Sequence, residues 1–262
     1  MRLVRPTWVF LTIFFILVYF VSEILSRDYL FSLSTVIKSY LLLDGIGYVW
    51  VIGVFLGVAL LNPIILKISE SIDQNKYYFF FLLIIYFGYL GLVYLQRFFS
   101  GFLNILYEHV ILYTISYGII AAIGVRSKKI DKKEMIIISV FSFIIYFLIG
   151  YSQSFPPTQI AKYPPTTYYL SFAVGMIFLV RLLLSHTFIY NLCDKKFTHF
   201  VSTNSMWIYL WHIIPIFGIS LVPERISIID NNFILQFILV FSFSIVATFI
   251  QNELLKRIKS LR

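Results

Sequence analysis

Long apolar runs alternate with short polar connections along the 262-residue chain. An α-helix rises about 1.5 Å per residue, so about 20 apolar residues cross the roughly 30 Å hydrocarbon core of a bilayer. The chain has runs of about this length near residues 7–25, 46–68, 77–95, 104–124, 135–151, 167–185, 203–222 and 233–252. Stretches such as 79–85 are apolar on every face, whereas the strands of a membrane β-barrel alternate apolar and polar residues. The pattern predicts an all-α fold, a polytopic transmembrane bundle of about eight helices.

The composition excludes several other classes of protein. Hydrophobic residues make up 60% of the chain and charged residues 13%, and the mean hydropathy is +0.89. A soluble domain is about 45–50% apolar and about 25% charged. A soluble enzyme, a disordered chain and a nucleic-acid-binding domain are therefore excluded, and the expected partner is the lipid bilayer. No long linker and no repeat divides the sequence, so residues 1–262 are predicted to form a single domain.

The distribution of basic residues predicts the orientation in the membrane. Fifteen of the 21 Lys and Arg residues fall on the side of both termini, five fall on the opposite side, and Arg181 lies inside a helix. Because basic loops stay in the cytoplasm, both termini are predicted to be cytoplasmic. The strongest signal is the segment 126–134, which we interpret as a lipid-facing loop that sets topology; a partner-binding site is the alternative.

A polar stripe runs through the seventh apolar segment. The spacings of four and three residues place Ser205, Tyr209 and His212 on one helical face. Pro215 removes an amide donor and predicts a helix interruption beside His212. A histidine in this position acts either as a general base or as a hydrogen-bonding group between helices.

Three other ionisable residues occur inside or beside the apolar segments, where a charge is costly. Arg181 lies about one turn from a predicted cytoplasmic end; it either extends to the lipid headgroups or contacts an anionic ligand. Glu108 and His109 open the fourth segment near the outer surface, and an interfacial structural role is the alternative to ligand binding for this pair. No cluster of His, Cys and Asp has metal-ligand spacing, and no phosphate-binding loop is present. The sequence predicts no metal and no bound cofactor.

A proline-rich outer loop precedes the sixth segment. Its two Pro-Pro pairs favour a stiff, extended path. Together with its tyrosines, they form an aromatic edge on which a sugar or a peptide can stack; an interfacial tyrosine belt is the alternative. The residues of this edge are Tyr163, Pro164, Pro165, Tyr168 and Tyr169.

Several of these motifs together resemble the acyltransferase family 3 integral membrane proteins, bacterial enzymes that move acyl groups onto envelope or secreted glycans. The resemblance is carried by Lys162-Tyr163-Pro164-Pro165 with the helix start at Tyr168, by Ser202 to His212, by Gly47 to Ile52 with Asn62-Pro63, and by Arg5-Pro6. It implies transfer of an acyl group, with acetyl expected, from cytoplasmic acyl-CoA to a hydroxyl of an envelope or exported polysaccharide. It also implies a multi-pass protein of the bacterial inner membrane.

The resemblance assigns roles to the residues singled out above. The expected catalytic residues are His212, Ser205 and Tyr209, and the donor-binding residue is Arg181. The expected acceptor-binding residues are Tyr163, Pro164, Pro165, Tyr168, Tyr169, Glu108 and His109. An export or assembly component for polysaccharide or glycolipid, using the polar stripe as a passage lining, remains the alternative.

The sequence departs from the family at its front. Members usually begin with two further helices that carry an Arg-Gly pair and a His, and Met1 stands where the third helix of the family is expected. The resemblance therefore implies an N-terminally shortened member. Such a chain is expected to associate with a missing N-terminal part or with a full-length relative, and an inactive remnant is a further alternative.

Overall fold

The computed structural model describes residues 3–24, 29–43, 45–46, 48–221 and 232–260, and these residues are almost entirely helical. The helices are α1 Val4–Ile24, α2 Leu33–Tyr40, α3 Trp50–Ser71, α4 Asn75–Leu95, α5 Gly101–Leu106, α6 Tyr113–Arg126, α7 Lys132–Ser152, α8 Thr167–Leu184, α9 Thr187–Cys193, α10 Lys196–Thr203, α11 Ser205–Trp211, α12 Ile213–Leu221 and α13 Phe233–Ser260. A π-helical turn, Tyr107–Leu112, joins α5 to α6.

The predicted all-α polytopic bundle is confirmed. Within the described ranges, seven helices are long and apolar enough to cross a membrane, and they match seven of the eight predicted runs. The other run, 203–222, forms the shorter helices α11 and α12, which meet at His212. The predicted helix ends at Leu25 and Val222, and Gly47 of the resemblance motif, lie outside the described residues. The cytoplasmic location of both termini remains a prediction.

The chain forms two compact units. Unit one consists of residues 1–40 and 192–262, and unit two consists of residues 41–191. The single domain expected from the sequence remains a prediction.

Aromatic side chains form the core of unit one. Phe10 and Phe14 are buried on one face of α1. The Phe14 ring lies 5.3 Å from that of Phe217 on α12, and the Phe10 ring lies 5.9 Å from that of Trp211 on α11. The two buried hydroxyls on α13, those of Ser244 and Thr248, donate to carbonyls one turn earlier on the same helix. Both of these hydroxyls are therefore paired within their own helix.

Two helix pairs pack closely in unit two, which also contains α4. Helices α3 and α6 pack against each other, and α7 packs along α8, where the Ser139 hydroxyl donates to the Gly175 carbonyl at 3.0 Å. Helix α7 begins with a capping box: Glu134 N donates to Asp131 Oδ1 at 2.7 Å, and Asp131 N donates back to Glu134 Oε2 at 3.3 Å. The capping box thus marks where α7 starts.

Arg126 corrects the interpretation of the basic segment as a lipid-facing loop. Its side chain is 0% exposed at the end of α6. The guanidinium donates to the carbonyls of Ser69 and Ile72 at 2.7 Å and to that of Asp73 at 2.6 Å. The last carbonyls of a helix have no partner in their own helix and carry partial negative charge, so the C-terminal end of α3 attracts this cation inward. Lys128, in contrast, is exposed.

Candidate functional sites

The predicted polar stripe lines a cavity in unit one. Ser205, Tyr209 and His212 face α13 across a cavity of about 480 Å³. The opposite wall includes Gln236 and Ser244 from α13, together with Phe237 and other apolar side chains. The structure therefore brings the three predicted catalytic residues to one surface, and the helical spacing that predicted the stripe is confirmed.

The hydrogen bond at His212 fixes the position of its ring proton. The Nδ1 atom contacts the backbone carbonyl of Tyr209, and the two rings lie 4.9 Å apart. A carbonyl oxygen only accepts, so Nδ1 is the donor and the lone pair of a neutral ring resides on Nε2. The interruption between α11 and α12 falls at His212, where the sequence places it. This arrangement gives the imidazole a defined tautomer inside an apolar segment.

An aromatic cluster lies in unit two, where the outer ends of the helices are predicted. The Trp50 ring lies 5.0 Å from that of Tyr163 and 5.3 Å from that of Tyr113. Tyr117 lies between Trp50, at 6.3 Å, and Tyr169, at 6.5 Å. We call these five residues the aromatic cluster. It joins two residues of the predicted acceptor edge, Tyr163 and Tyr169, to helices α3 and α6.

Glu108 and His109 adjoin the aromatic cluster through Tyr113. The Tyr113 hydroxyl donates to Glu108 Oε1 at 2.6 Å, and Gln96 Nε2 donates to Glu108 Oε2 at 3.1 Å. The His109 ring lies 4.9 Å from that of Tyr113. In the described part of the chain, the ion pairs are His199–Asp194 and Lys256–Glu253, so neutral donors hold this carboxylate. A carboxylate without a cationic partner beside aromatic rings is suited to bind hydroxyl groups.

The proline-rich loop is attached to the helices of unit two. Tyr89 donates its hydroxyl to the Pro165 carbonyl at 2.6 Å, and the Tyr163-Pro164 peptide bond is cis. Lys162 Nζ lies 4.9 Å from the centre of the Tyr163 ring. Burial raises the pKa of Tyr163, so its phenol remains protonated at neutral pH and available as a donor.

Tyr168 and Tyr169 point in different directions. The Tyr168 ring is buried and stacks on Tyr146 of α7 at 4.6 Å, with 3.0 Å between the two hydroxyls. Tyr169 instead faces Tyr117 in the aromatic cluster. Neighbouring residues on a helix project about 100° apart, which accounts for the difference.

Arg181 lies in the last turn of α8, as predicted. Its Nη1 donates to the Ser127 hydroxyl at 3.1 Å, beside buried Arg126. Ser127 is itself buried, and its hydroxyl donates to the Gly124 carbonyl at 2.6 Å. Arg181 is therefore tied to the end of α6, in unit two. Its expected contact with a donor remains a prediction.

Sequence reasoning missed several residues of these sites. Trp50 belongs to a family motif, but the sequence analysis assigned it no functional role. Tyr113 and Tyr117 were not singled out, because tyrosine is common throughout this chain. Among the described residues, no group of His, Cys, Asp and Glu is arranged to hold a metal ion.

The helices define the class of the chain as a polytopic, α-helical membrane protein. The family model described as an acyltransferase domain matches residues 1–251, so the chain belongs to the acyltransferase family 3 of membrane acyltransferases. No curated protein and no solved structure matches it significantly.

Proposed function

We propose that this membrane acyltransferase moves an acetyl group from acyl-CoA on the cytoplasmic side to a hydroxyl of an envelope or exported polysaccharide. The observation that supports this proposal is the shared cavity of Ser205, Tyr209 and His212 in a chain that belongs to an acyltransferase family. The protein then acts in the inner membrane of a bacterium.

The proposed chemistry uses His212 as the base. The Nε2 lone pair accepts the proton of the acceptor hydroxyl while its oxygen attacks the thioester carbonyl. The new carbon–oxygen bond forms, the carbon–sulfur bond breaks, and the proton passes from the imidazole to the departing thiolate. The Tyr209 and Ser205 hydroxyls stabilise the developing negative charge on the carbonyl oxygen. Neither product retains a bond to the protein, so no covalent enzyme intermediate is required.

The proposed acceptor site is the aromatic cluster with Glu108 and His109. Sugar rings present apolar faces that stack on aromatic side chains and hydroxyls that donate to carboxylates. Tyr163, with its protonated phenol, and Glu108, held by neutral donors, supply both kinds of contact. Pro164 and Pro165 fix the loop that presents Tyr163.

The proposed donor site includes Arg181. Its guanidinium lies in the predicted cytoplasmic part of unit two, where Arg126, Lys129 and Ser127 also converge on the ends of α3 and α6. A phosphate of the donor binds a guanidinium through charge-assisted hydrogen bonds. Since Arg126 already contacts backbone carbonyls, Arg181 is the residue assigned to the donor.

The test compares His212→Ala with the unsubstituted chain in a bacterial strain lacking the endogenous gene. The measurement is the acetate released per sugar from the purified envelope polysaccharide, with membrane levels of each variant quantified on blots. We expect His212→Ala to lower acetylation to the level of the empty strain. His186→Ala is the matched control, because His186 is exposed outside this cavity, and we expect it to retain acetylation.

Each other result of this experiment selects one of the alternatives. Unchanged acetylation in His212→Ala contradicts the assigned base. Less surface polysaccharide with an unchanged acetate content per sugar indicates an export or assembly component. Acetylation that requires a co-expressed full-length relative, even with the unsubstituted chain, indicates an associating partner.

A further inference from the structure

Lys162 holds a positive charge against the aromatic cluster of unit two. Its Nζ lies 4.9 Å from the centre of the Tyr163 ring and 5.8 Å from that of Trp50. Aromatic faces attract an ammonium group and keep it in place, but they do not neutralise its charge. The chemistry given above for acyl transfer leaves this cation without a role.

The ammonium of Lys162 is accessible and has no anionic partner. Within the described ranges it forms no ion pair and no hydrogen bond. The side chain is half-buried, yet its nitrogen remains in contact with solvent. An ammonium group has only donors, and a charged donor bonds most strongly to an anion. The N–H bonds of Lys162 are therefore open to an anionic group that approaches from outside.

The backbone on both sides of Lys162 is fixed. Thr166 N donates to the Ala161 carbonyl at 2.8 Å and closes a short loop that contains Lys162. Tyr89 donates to the Pro165 carbonyl at 2.6 Å and so attaches this loop to α4. Ala161 and Pro165 are themselves buried. The loop thus presents the ammonium at a defined place, which lowers the entropy lost when a ligand binds.

Glu108 places the opposite charge beside the same cluster. Tyr113, which donates to this carboxylate, lies 5.3 Å from Trp50 and 6.1 Å from Tyr163. Those are the two rings that lie beneath the ammonium of Lys162. The carboxylate and the ammonium do not pair with each other, so neither charge is cancelled. Both rings and both charged side chains are half-buried, and one ligand can therefore contact all of them.

We propose that the acceptor of this enzyme is an acidic glycan, with Lys162 binding its anionic group. The sugar ring packs on Trp50 and Tyr163, its hydroxyls donate to Glu108, and its anionic group accepts from Lys162 Nζ. A uronate residue carries an apolar face, hydroxyls and a carboxylate on a single ring, so it matches these features of the site together. The inference rests on the acceptor site proposed above and adds the chemical class of the acceptor.

A phospholipid headgroup is a less suitable anion for Lys162. Arg97 shows the arrangement expected for a headgroup contact: it is exposed, and its guanidinium lies 3.6 Å from the centre of the Tyr94 ring, which is 60% exposed. Lys162 is instead half-buried over two half-buried rings. A headgroup also offers no apolar ring face to Trp50 and Tyr163, whereas a sugar does.

The test compares two oligosaccharides that differ only in their charge. Tetragalacturonate and its carboxyl-reduced form, in which each carboxylate has become a hydroxymethyl group, are titrated into the purified full chain in phosphatidylcholine nanodiscs. Isothermal titration calorimetry gives the apparent affinity for each, and no acyl donor is present. We expect the acidic tetramer to bind about fivefold more tightly, the gain of one partly exposed ion pair. About 0.5 M salt should remove most of this difference.

Substitutions assign the preference to one side chain. We expect Lys162→Gln to bind both tetramers alike, and Lys162→Arg to keep most of the preference because the positive charge remains. Arg97→Gln is the matched control, since Arg97 also lies over aromatic rings on the predicted outer side but outside the aromatic cluster. This control should keep the full preference for the acidic tetramer.

Three results overturn the proposal. Equal affinity of the unsubstituted chain for the two tetramers, or no binding of either, removes the acidic class, and this comparison decides the matter even if Lys162→Gln fails to fold. A preference that persists in Lys162→Gln belongs to another cation. Weaker binding of phosphatidylglycerol by Lys162→Gln than by Arg97→Gln, measured by native mass spectrometry, assigns the ammonium to a lipid headgroup.

The titration contains no acyl donor, so its outcome is separate from that of the acetylation experiment. Equal binding of the two tetramers together with His212-dependent acetylation contradicts only the acidic class of the acceptor. A preference for the acidic tetramer without His212-dependent acetylation supports the binding site and contradicts the proposed base.

Discussion

Tyr113 donates its hydroxyl to the Glu108 carboxylate at 2.6 Å, although the two residues are five positions apart in one continuous helical segment. In an α-helix, residues three and four apart share a face. The π-helical turn Tyr107–Leu112 forms bonds between residues five apart, and so it brings these two side chains together. The carboxylate thereby joins the aromatic cluster, with Gln96 on its other oxygen.

Removing this hydroxyl should destabilise unit two. We expect Tyr113→Phe to lower the free energy of unfolding by about 2 kcal/mol, because a half-buried carboxylate loses a charge-assisted hydrogen bond. Unfolding in mixed micelles titrated with SDS, followed by circular dichroism, measures the difference. Tyr151→Phe is the control, since Tyr151 is 84% exposed, and it should change stability by less than about 0.5 kcal/mol. Equal effects of the two variants contradict the assigned bond.

The stability of unit two should depend on the complete guanidinium group of Arg126. We expect both Arg126→Met and Arg126→Lys to lower the free energy of unfolding by about 3 kcal/mol or more, because neither side chain reaches three carbonyls and the Asn75 side chain at once. The same SDS titration provides the measurement. Lys128→Met, an exposed neighbour, is the control. Full stability of Arg126→Lys means that the charge alone suffices.

The contact of α3 with α6 should depend on Gly57. A Cβ atom at this position meets the Thr114 side chain, whereas a Cβ at Gly88 of α4 has nothing within 4 Å. We expect Gly57→Ala to cost about 2 kcal/mol and Gly88→Ala to gain up to about 1 kcal/mol through higher helix propensity. Adding Thr114→Ala should recover most of the loss at Gly57. Failure of this rescue, with SDS unfolding as the readout, argues against close packing there.

Tyr163 should contribute to acceptor binding more than to the chemical step. We expect Tyr163→Ala to raise KM for an acceptor oligosaccharide about tenfold with little change in kcat, because one stacking surface worth about 1–1.5 kcal/mol is lost. Tyr163→Phe keeps the ring and should retain most of the affinity. The assay measures acetyl transfer in proteoliposomes at varied acceptor concentration. A fall in kcat alone places Tyr163 outside the acceptor site.

The membrane helices could be predicted from the sequence because an apolar run long enough to span a bilayer rarely forms any other structure. The predicted start of α8 at Thr167 agrees with the structure. The short helices α2, α9 and α10 were missed because none approaches spanning length. The stripe of Ser205, Tyr209 and His212 was predictable, because it uses ordinary α-helical spacing.

The aromatic cluster was not predictable in the same way. Glu108 and Tyr113 meet through a π-helical turn, and no periodicity of the sequence indicates where such a turn occurs. Trp50 meets Tyr163 only through the packing of α3 against the proline-rich loop, a contact between residues more than one hundred positions apart. Arg126 is likewise defined by long-range partners, so its residue type alone gave no indication of a buried role.

Arg126 belongs to the charged segment between α6 and α7 that is predicted to stay in the cytoplasm and to set the orientation of the chain during insertion. In the folded protein, the same side chain donates hydrogen bonds to carbonyls at the end of α3 and in the connection from α3 to α4. If that prediction holds, one position serves two successive stages, insertion by its charge and folding by its geometry. A substitution of Arg126 that keeps the positive charge can therefore preserve the orientation in the bilayer and still weaken the packing of the helices.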